Sequence, residues 1–237
     1  MIFPCPNITL IAPLTACTTV TSQSLLRKLA QRTSERLLFE KEEETPTPAL
    51  IASARGSVLE LGPGSGNQLS RYSKSQITEI YGVEPNTMLH PLLQANVKKH
   101  GLSDIYRIVP CGIEDFDRLR TYGLMEGSVD TVVCHQVLCG VPRPKEMVKA
   151  CYRFLKPGGV MIVKEHVKAV GDPVTVMIQR MYQTIWPFFL GGCNLTRSTG
   201  DYILQAGEWS NIDQVLTSRE DPLLVIPPFA GRFTKAG

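Results

Sequence analysis

Glu60, Gly62, Gly64 and Gly66 stand together in the run 58–68, VLELGPGSGNQ, where an unbroken VLEL leads into three glycines at every second position. Glycine lets bare backbone approach a ligand closely. A carboxylate two residues before the first glycine attracts an ammonium group and repels a pyrophosphate. A triphosphate loop needs Lys followed by Ser or Thr where the helix starts, and this chain has Asn67 and Gln68 there. A dinucleotide loop needs GxGxxG, and the third glycine of that pattern is replaced by Asn67. A second acid, Glu84, ends the next apolar run, the place where an acidic residue accepts ribose hydroxyls in sheets of this kind. Together these features ask for a nucleoside that carries an amine and no phosphate, and S-adenosylmethionine has that chemistry. A glycine-rich turn between two solvated acids is the competing reading.

Two histidines follow apolar runs on the same side of the pattern, His135 after TVVC and His166 after VKE. Each can serve as a general base with a near-neutral pKa, or can simply cap a strand or pack on the cofactor. Methyl transfer from a sulfonium needs mainly positioning and desolvation, and a base helps only where the acceptor is protonated at working pH. The missing catalytic triad therefore excludes nothing. Glu165 either orients His166 or pairs with Lys164 or Lys168. Cys139 has no basic neighbour in sequence to lower its pKa, which favours a packed thiol over a nucleophile. Residues 177–194 are rich in large apolar side chains, among them Met181, Tyr182, Trp186 and Phe189, which suit either ordinary core or a lipophilic pocket.

The elements that must position these groups alternate along the chain. The pattern predicts a helix over 22–43, then a Pro-broken linker through Pro46 and Pro48. Strands follow at SVLEL, EIYGVE, YRIVP, SVDTVVC and GVMIVKE, with helices expected from near Gln68, over 88–100 and over 145–155. Strands alternating with helices of about a dozen residues predict a Rossmann-like α/β fold, a mostly parallel sheet with helices on both faces. In such a sheet the ligand sits beyond the carboxyl ends of the strands. Residues 1–48 read as a lid or helical extension and 49–237 as the core domain.

Composition narrows the partners. A net charge of +3 with only short basic patches argues against a nucleic-acid surface. The seven cysteines are odd in number and show no CxxC spacing, so the sequence supports neither a disulfide framework nor a metal site. The N-terminal run is broken by Pro4, Pro6 and Pro13 and has no basic start, unlike a signal peptide or a membrane span. These features predict a cytoplasmic protein with no integral membrane segment, leave peripheral membrane contact open and set no oligomeric state.

VLELGPGSG, YGVEPN, CGIEDF and LKPGGVMIVKEH resemble the motifs of the class I S-adenosylmethionine-dependent methyltransferases. The resemblance implies a seven-stranded sheet whose last strand, PPFAGRFTKAG, runs antiparallel, with 212–217 as its partner. It implies S-adenosylmethionine as cofactor, held by Glu60, Gly62, Gly64, Gly66, Glu84 and Pro85. Gly112, Ile113 and Glu114 would flank the adenine, with either Glu114 or Asp115 at its amine, and His135 would lie beside the methionine half. It also implies an acceptor cap over about 170–210, where Arg197 pairs an acidic acceptor or anchors the cap. DTVVCHQVLCGV, KEHV and GCNLTR are similar, more narrowly, to small-molecule thiol methyltransferases and to fungal-type natural-product methyltransferases. The expected activity is methylation of an O, N or S atom of a small, largely apolar molecule in specialised metabolism. The alternative is a non-methylating lyase or pericyclase on the same fold.

Overall fold

The computed structural model describes residues 42–189, 191–216 and 224–237. The helix expected over 22–43 lies outside these residues except for Glu42 and Glu43. The strands are β1 (Gly56–Leu61), β2 (Ile77–Val83), β3 (Tyr106–Val109), β4 (Val129–His135), β5 (Leu155–His166), β6 (Trp209–Leu216) and β7 (Pro228–Lys235). They form one seven-stranded sheet in the order β3-β2-β1-β4-β5-β7-β6. The first five strands pair in parallel, while β7 runs antiparallel to both β5 and β6. The expected fold and closing strand pair are therefore present.

The helices are α1 (Thr47–Ala52), α2 (His90–Lys99), α3 (Phe116–Thr121), α4 (Pro144–Phe154), α5 (Pro173–Gln183), α6 (Trp186–Phe189) and α7 (Thr199–Leu204). The central strands are apolar on both sides, so alternate residues feed two cores. Leu59, Leu61, Val132, Cys134, Met161 and Val163 pack with Leu119 of α3, Val148 and Phe154 of α4 and Ile203 of α7. Val58, Ile80, Val133, Val160 and Ile162 pack on the other face with Leu50 and Ile51 of α1 and Leu93 and Val97 of α2.

One expected element differs. The helix predicted from near Gln68 is a single 3-10 turn, Leu69–Arg71, and a second such turn covers Lys74–Gln76 before β2 begins. Tyr72 is extended and buried in the core, and the Arg71 side chain is drawn back onto Glu42 and Glu43. These commitments stop helical propagation after one turn. α1 packs against that turn and against β5 and β7, covering the face the missing helix would have covered. The chain turns back at β1, since β2 and β3 lie on one side of it and β4 and β5 on the other. The crevice at that reversal is where such sheets bind ligands.

Candidate active site

The loop after β1 is fixed from the neighbouring strand. Gly62 donates its N–H to the Val83 carbonyl at 2.9 Å, and Gly64 donates to Glu84 Oε2 at 3.0 Å. Glu84 Oε1 accepts the Asn86 N–H at 2.9 Å, so both carboxylate oxygens are oriented by backbone while each keeps acceptor capacity. Gly64 has φ +59°, which favours glycine, and no atom lies within 4 Å of where a Cβ would stand. That bare space opens onto the cavity.

Glu60 behaves differently from Glu84. It is 3% exposed and its Oε2 accepts the Tyr106 hydroxyl at 2.8 Å. The phenol reaches it because position 82 is glycine; a Cβ there would collide with the Tyr106 ring. Burial pushes the Glu60 carboxyl up to about 7, against the hydrogen bond from Tyr106. Glu60 thus borders the cavity as a shielded acid whose charge depends on what binds beside it, and not as a free anion at a strand tip.

The end of β4 carries a polar knot that sequence reasoning missed. Glu42, 5% exposed, reaches in from the segment before α1 and meets His135, Lys164 and Arg71. His135 Nε2 lies 2.9 Å from Glu42 Oε1, and its Nδ1 lies 3.1 Å from Gln68 Nε2. This arrangement assigns a neutral ring that donates through Nε2 and accepts at Nδ1. Burial lowers the His135 pKa, and the contact with Glu42 only partly opposes that. Burial alone would raise Glu42, but the hydrogen bond from His135 and the charge of Lys164 outweigh this and hold it below the usual carboxylate range. With both ring nitrogens engaged, His135 positions its neighbours and has no free nitrogen for an acceptor proton. The signal in sequence was weak, because EEE before a Pro-rich linker reads as solvated acid.

Beyond His135 the chain turns through Gln136, whose φ is +50°. Glu165, fully buried on β5, holds this turn by accepting the N–H groups of Val137 (3.0 Å), Leu138 (3.0 Å) and Cys139 (3.3 Å). Burial pushes Glu165 up to about 7 in spite of those bonds. It therefore organises the backbone and neither orients His166 nor pairs with a lysine. Arg197 donates to the Leu138 carbonyl at 2.6 Å and ties the cap to the same turn.

At the end of β5, His166 meets Cys139 from this turn and Cys193 from the cap. All three are buried, and the His166 Nδ1 has no hydrogen-bond partner. Hydrogen bonding with Cys139, together with His166, pulls the Cys193 thiol below its ordinary value, and the same contact pushes Cys139 up. Sequence reasoning found no metal-ligand spacing because these residues come from three separate segments.

One cavity of about 530 Å³ joins these parts. Its walls include Glu60, Gly62, Gly64, Glu84, Pro85, Gly112, Ile113, His135 and His166 from the expected set, with Glu42, Gln68, Gln136, Cys139 and Cys193 added by the fold. Two expected cofactor residues are elsewhere. Gly66 lies under the loop against Leu69 and Leu93, and Glu114 is exposed. The expected acceptor pocket also differs. Met181 and Tyr182 are 64% and 46% exposed and are not among the residues lining the cavity, and Trp186 packs on the cluster of Cys139, Cys193 and Leu195. α5 is anchored by Gln179, which accepts from Ala169 and donates to the Val167 and Val225 carbonyls. The Phe189 side chain lies outside the described residues.

The residues fit S-adenosylmethionine. Glu84 offers acceptors for a ribose, bare Gly64 allows close approach, and Gly112 and Ile113 form an apolar slot at the β3 side.

Comparison with known proteins agrees with this geometry. Residues 59–163 match the family described as a methyltransferase domain. The chain is 31% identical over 148 residues to the thiol S-methyltransferase TMT1B of Homo sapiens, covering 62% of this chain and 58% of that protein. The chain thus spans about six tenths of that relative's length. Among solved structures it resembles an O-methyltransferase family protein from Burkholderia thailandensis, with a TM-score of 0.60 and 15% identity over 91% of this chain and 60% of that one. It also resembles the [4+2]-cyclase SpnF, with a TM-score of 0.56 and 16% identity over 87% of this chain and 83% of that one. At such identities these structures speak for the fold alone.

Proposed function

We propose that this chain, which belongs to the class I S-adenosylmethionine-dependent methyltransferases, methylates the sulfur of a small, largely apolar thiol. The observation that carries the reading is the single cavity that runs from Glu84 and Gly64 to the soft cluster of Cys139, His166 and Cys193. When bound, the cofactor supplies an electrophilic methyl carbon on a positively charged sulfur.

The chain's own residues do the rest. Glu84 accepts from the ribose hydroxyls, and Glu60 lies beneath the glycine loop near the amine end, where a bound cation favours its ionised form. The Glu42 knot closes one wall of the cavity, and burial lowers the pKa of His135 there. Val137, Val141, Pro142 and Met147 line the acceptor side and exclude water, so a sulfur nucleophile meets the methyl carbon partly desolvated. His166, with its open Nδ1, is the polar group at that end which can take a proton or ligate an ion.

Several features support sulfur over oxygen or nitrogen. The acceptor end holds two thiols and an imidazole, with Glu165 turned into the backbone, and one relative in the sequence comparison is named a thiol S-methyltransferase. Specialised metabolism is the setting that fits a small apolar acceptor. Among the described residues no helix is long and apolar enough to cross a membrane. A non-methylating enzyme on the same fold is the competing reading. Incubation with methyl-labelled cofactor and matched thiols, phenols and amines tests the proposal. Label on the thiols is expected. Label only on phenols or amines would move the acceptor atom, and tight cofactor binding without transfer to any of them would favour the cyclase-like alternative.

A further inference from the structure

We propose that Cys139, His166 and Cys193 form a three-ligand zinc site whose fourth position faces the cavity and takes the acceptor as its thiolate. The second half of this proposal rests on the thiol reading above; the metal site itself does not.

The geometry is already close to that of a site. One ligand atom from each residue lies within 4.8 Å of the other two, and all three residues are buried on the cavity wall. Tetrahedral zinc holds sulfur at about 2.3 Å and imidazole nitrogen at about 2.0–2.1 Å, so its ligand atoms stand roughly 3.5–4 Å apart. Drawing the three atoms onto one ion needs each pair to close by no more than about 1.3 Å. The His166 Nδ1 is buried without a hydrogen-bond partner, a cost that coordination removes.

Chemistry selects the ion. Two thiolates and one imidazole are a soft set that suits zinc, and three protein ligands with an open position are the pattern of reactive rather than structural zinc. Two thiolates also cancel the charge of a divalent cation, so the buried cluster becomes neutral overall. The supports of the ligands are rigid. Glu165 fixes the turn that carries Cys139, and the Cys139 carbonyl accepts the N–H of Asn194, next to Cys193, at 2.9 Å. His166 is the last residue of β5 and pairs with Pro228 of β7.

The step this allows is simple. A thiol displaces the water on the fourth position, the zinc–sulfur bond forms as the zinc–oxygen bond breaks, and the thiol proton leaves to solvent. No oxidant or reductant is needed. The acceptor sulfur is then a thiolate at neutral pH, held at the soft end of the cavity.

The test uses the full chain, purified from zinc-supplemented medium. Elemental analysis is expected to give one zinc per chain, lost in Cys193→Ser and Cys139→Ser while both variants keep the wild-type circular dichroism and bind S-adenosylhomocysteine. Cobalt in place of zinc should show thiolate-to-metal charge transfer and tetrahedral absorption, and a simple alkane thiol should shift both bands while the matching alcohol leaves them alone. Wild-type protein that takes up neither ion, whether its cysteines titrate as free thiols or as a Cys139–Cys193 disulfide, would overturn the site. Cobalt spectra indifferent to the thiol would overturn the acceptor role. Because neither reading uses methyl transfer, a failed acceptor panel and a failed metal site are told apart.

Discussion

Glu84 Oε2 accepts the backbone N–H of Gly64 at 3.0 Å, so the acid immediately after β2 also fixes the bare loop that follows β1. A ligand that bonds to this carboxylate is therefore placed over backbone with no side chain in the way. The other acid of the pair has a separate partner in Tyr106 and a separate consequence for stability.

Glu60 makes the fold sensitive to alkaline shift. Its folded pKa is raised from 4.5 to about 7, so the folded state binds the extra proton. That contribution is fully present below the unfolded pKa and is lost as pH rises through about 7. Glu60→Gln keeps an acceptor for the Tyr106 hydroxyl and removes the ionisation. The variant should gain stability over wild type as pH rises from about 5 to 8, by at most about 3 kcal/mol. Thermal melts of both proteins across that range check it; a gap independent of pH would show that Glu60 ionises freely.

Glu42 acts in the opposite sense. Its pKa is depressed in the fold, so its contribution is present above the unfolded carboxylate pKa and fades as pH falls. Glu42→Gln leaves Arg71, 8% exposed, and Lys164, 8% exposed, without its charge, although Arg71 keeps Glu43. Breaking a buried pair in this way costs about 3–5 kcal/mol. Urea unfolding near neutral pH should show a loss of that order, and an unchanged midpoint would mean the knot is solvated.

The strands and their order of appearance were legible because SVLEL, SVDTVVC and GVMIVKE are short apolar runs bounded by turn residues, and the glycine triplet marked the reversal point. Other features were not legible, for physical reasons. Nothing local in EEETP shows that Glu42 is drawn under His135, since only the tertiary fold supplies Lys164 and Arg71 as partners. Cys139, His166 and Cys193 become neighbours only because β4 pairs with β5 and Glu165 folds the following turn back. Large apolar side chains in the cap suggested a pocket, but composition does not tell which way a short helix turns them.

That last point yields its own expectation. Met181→Ala and Tyr182→Ala remove exposed side chains outside the cavity wall, so each should change stability by no more than about 0.5 kcal/mol. Cofactor affinity should be unchanged as well. A marked rise in acceptor KM in either variant, measured with the thiol the panel identifies, would place them over the acceptor after all.

The most direct measurement is calorimetric titration of wild type and Glu84→Ala with S-adenosylhomocysteine, and of wild type with NAD. Wild type should bind the nucleoside and ignore NAD, and Glu84→Ala should lose about 1–3 kcal/mol, roughly 5- to 150-fold, with its circular dichroism unchanged. Equal affinity in the two proteins, or a preference for NAD, would contradict the cavity as described.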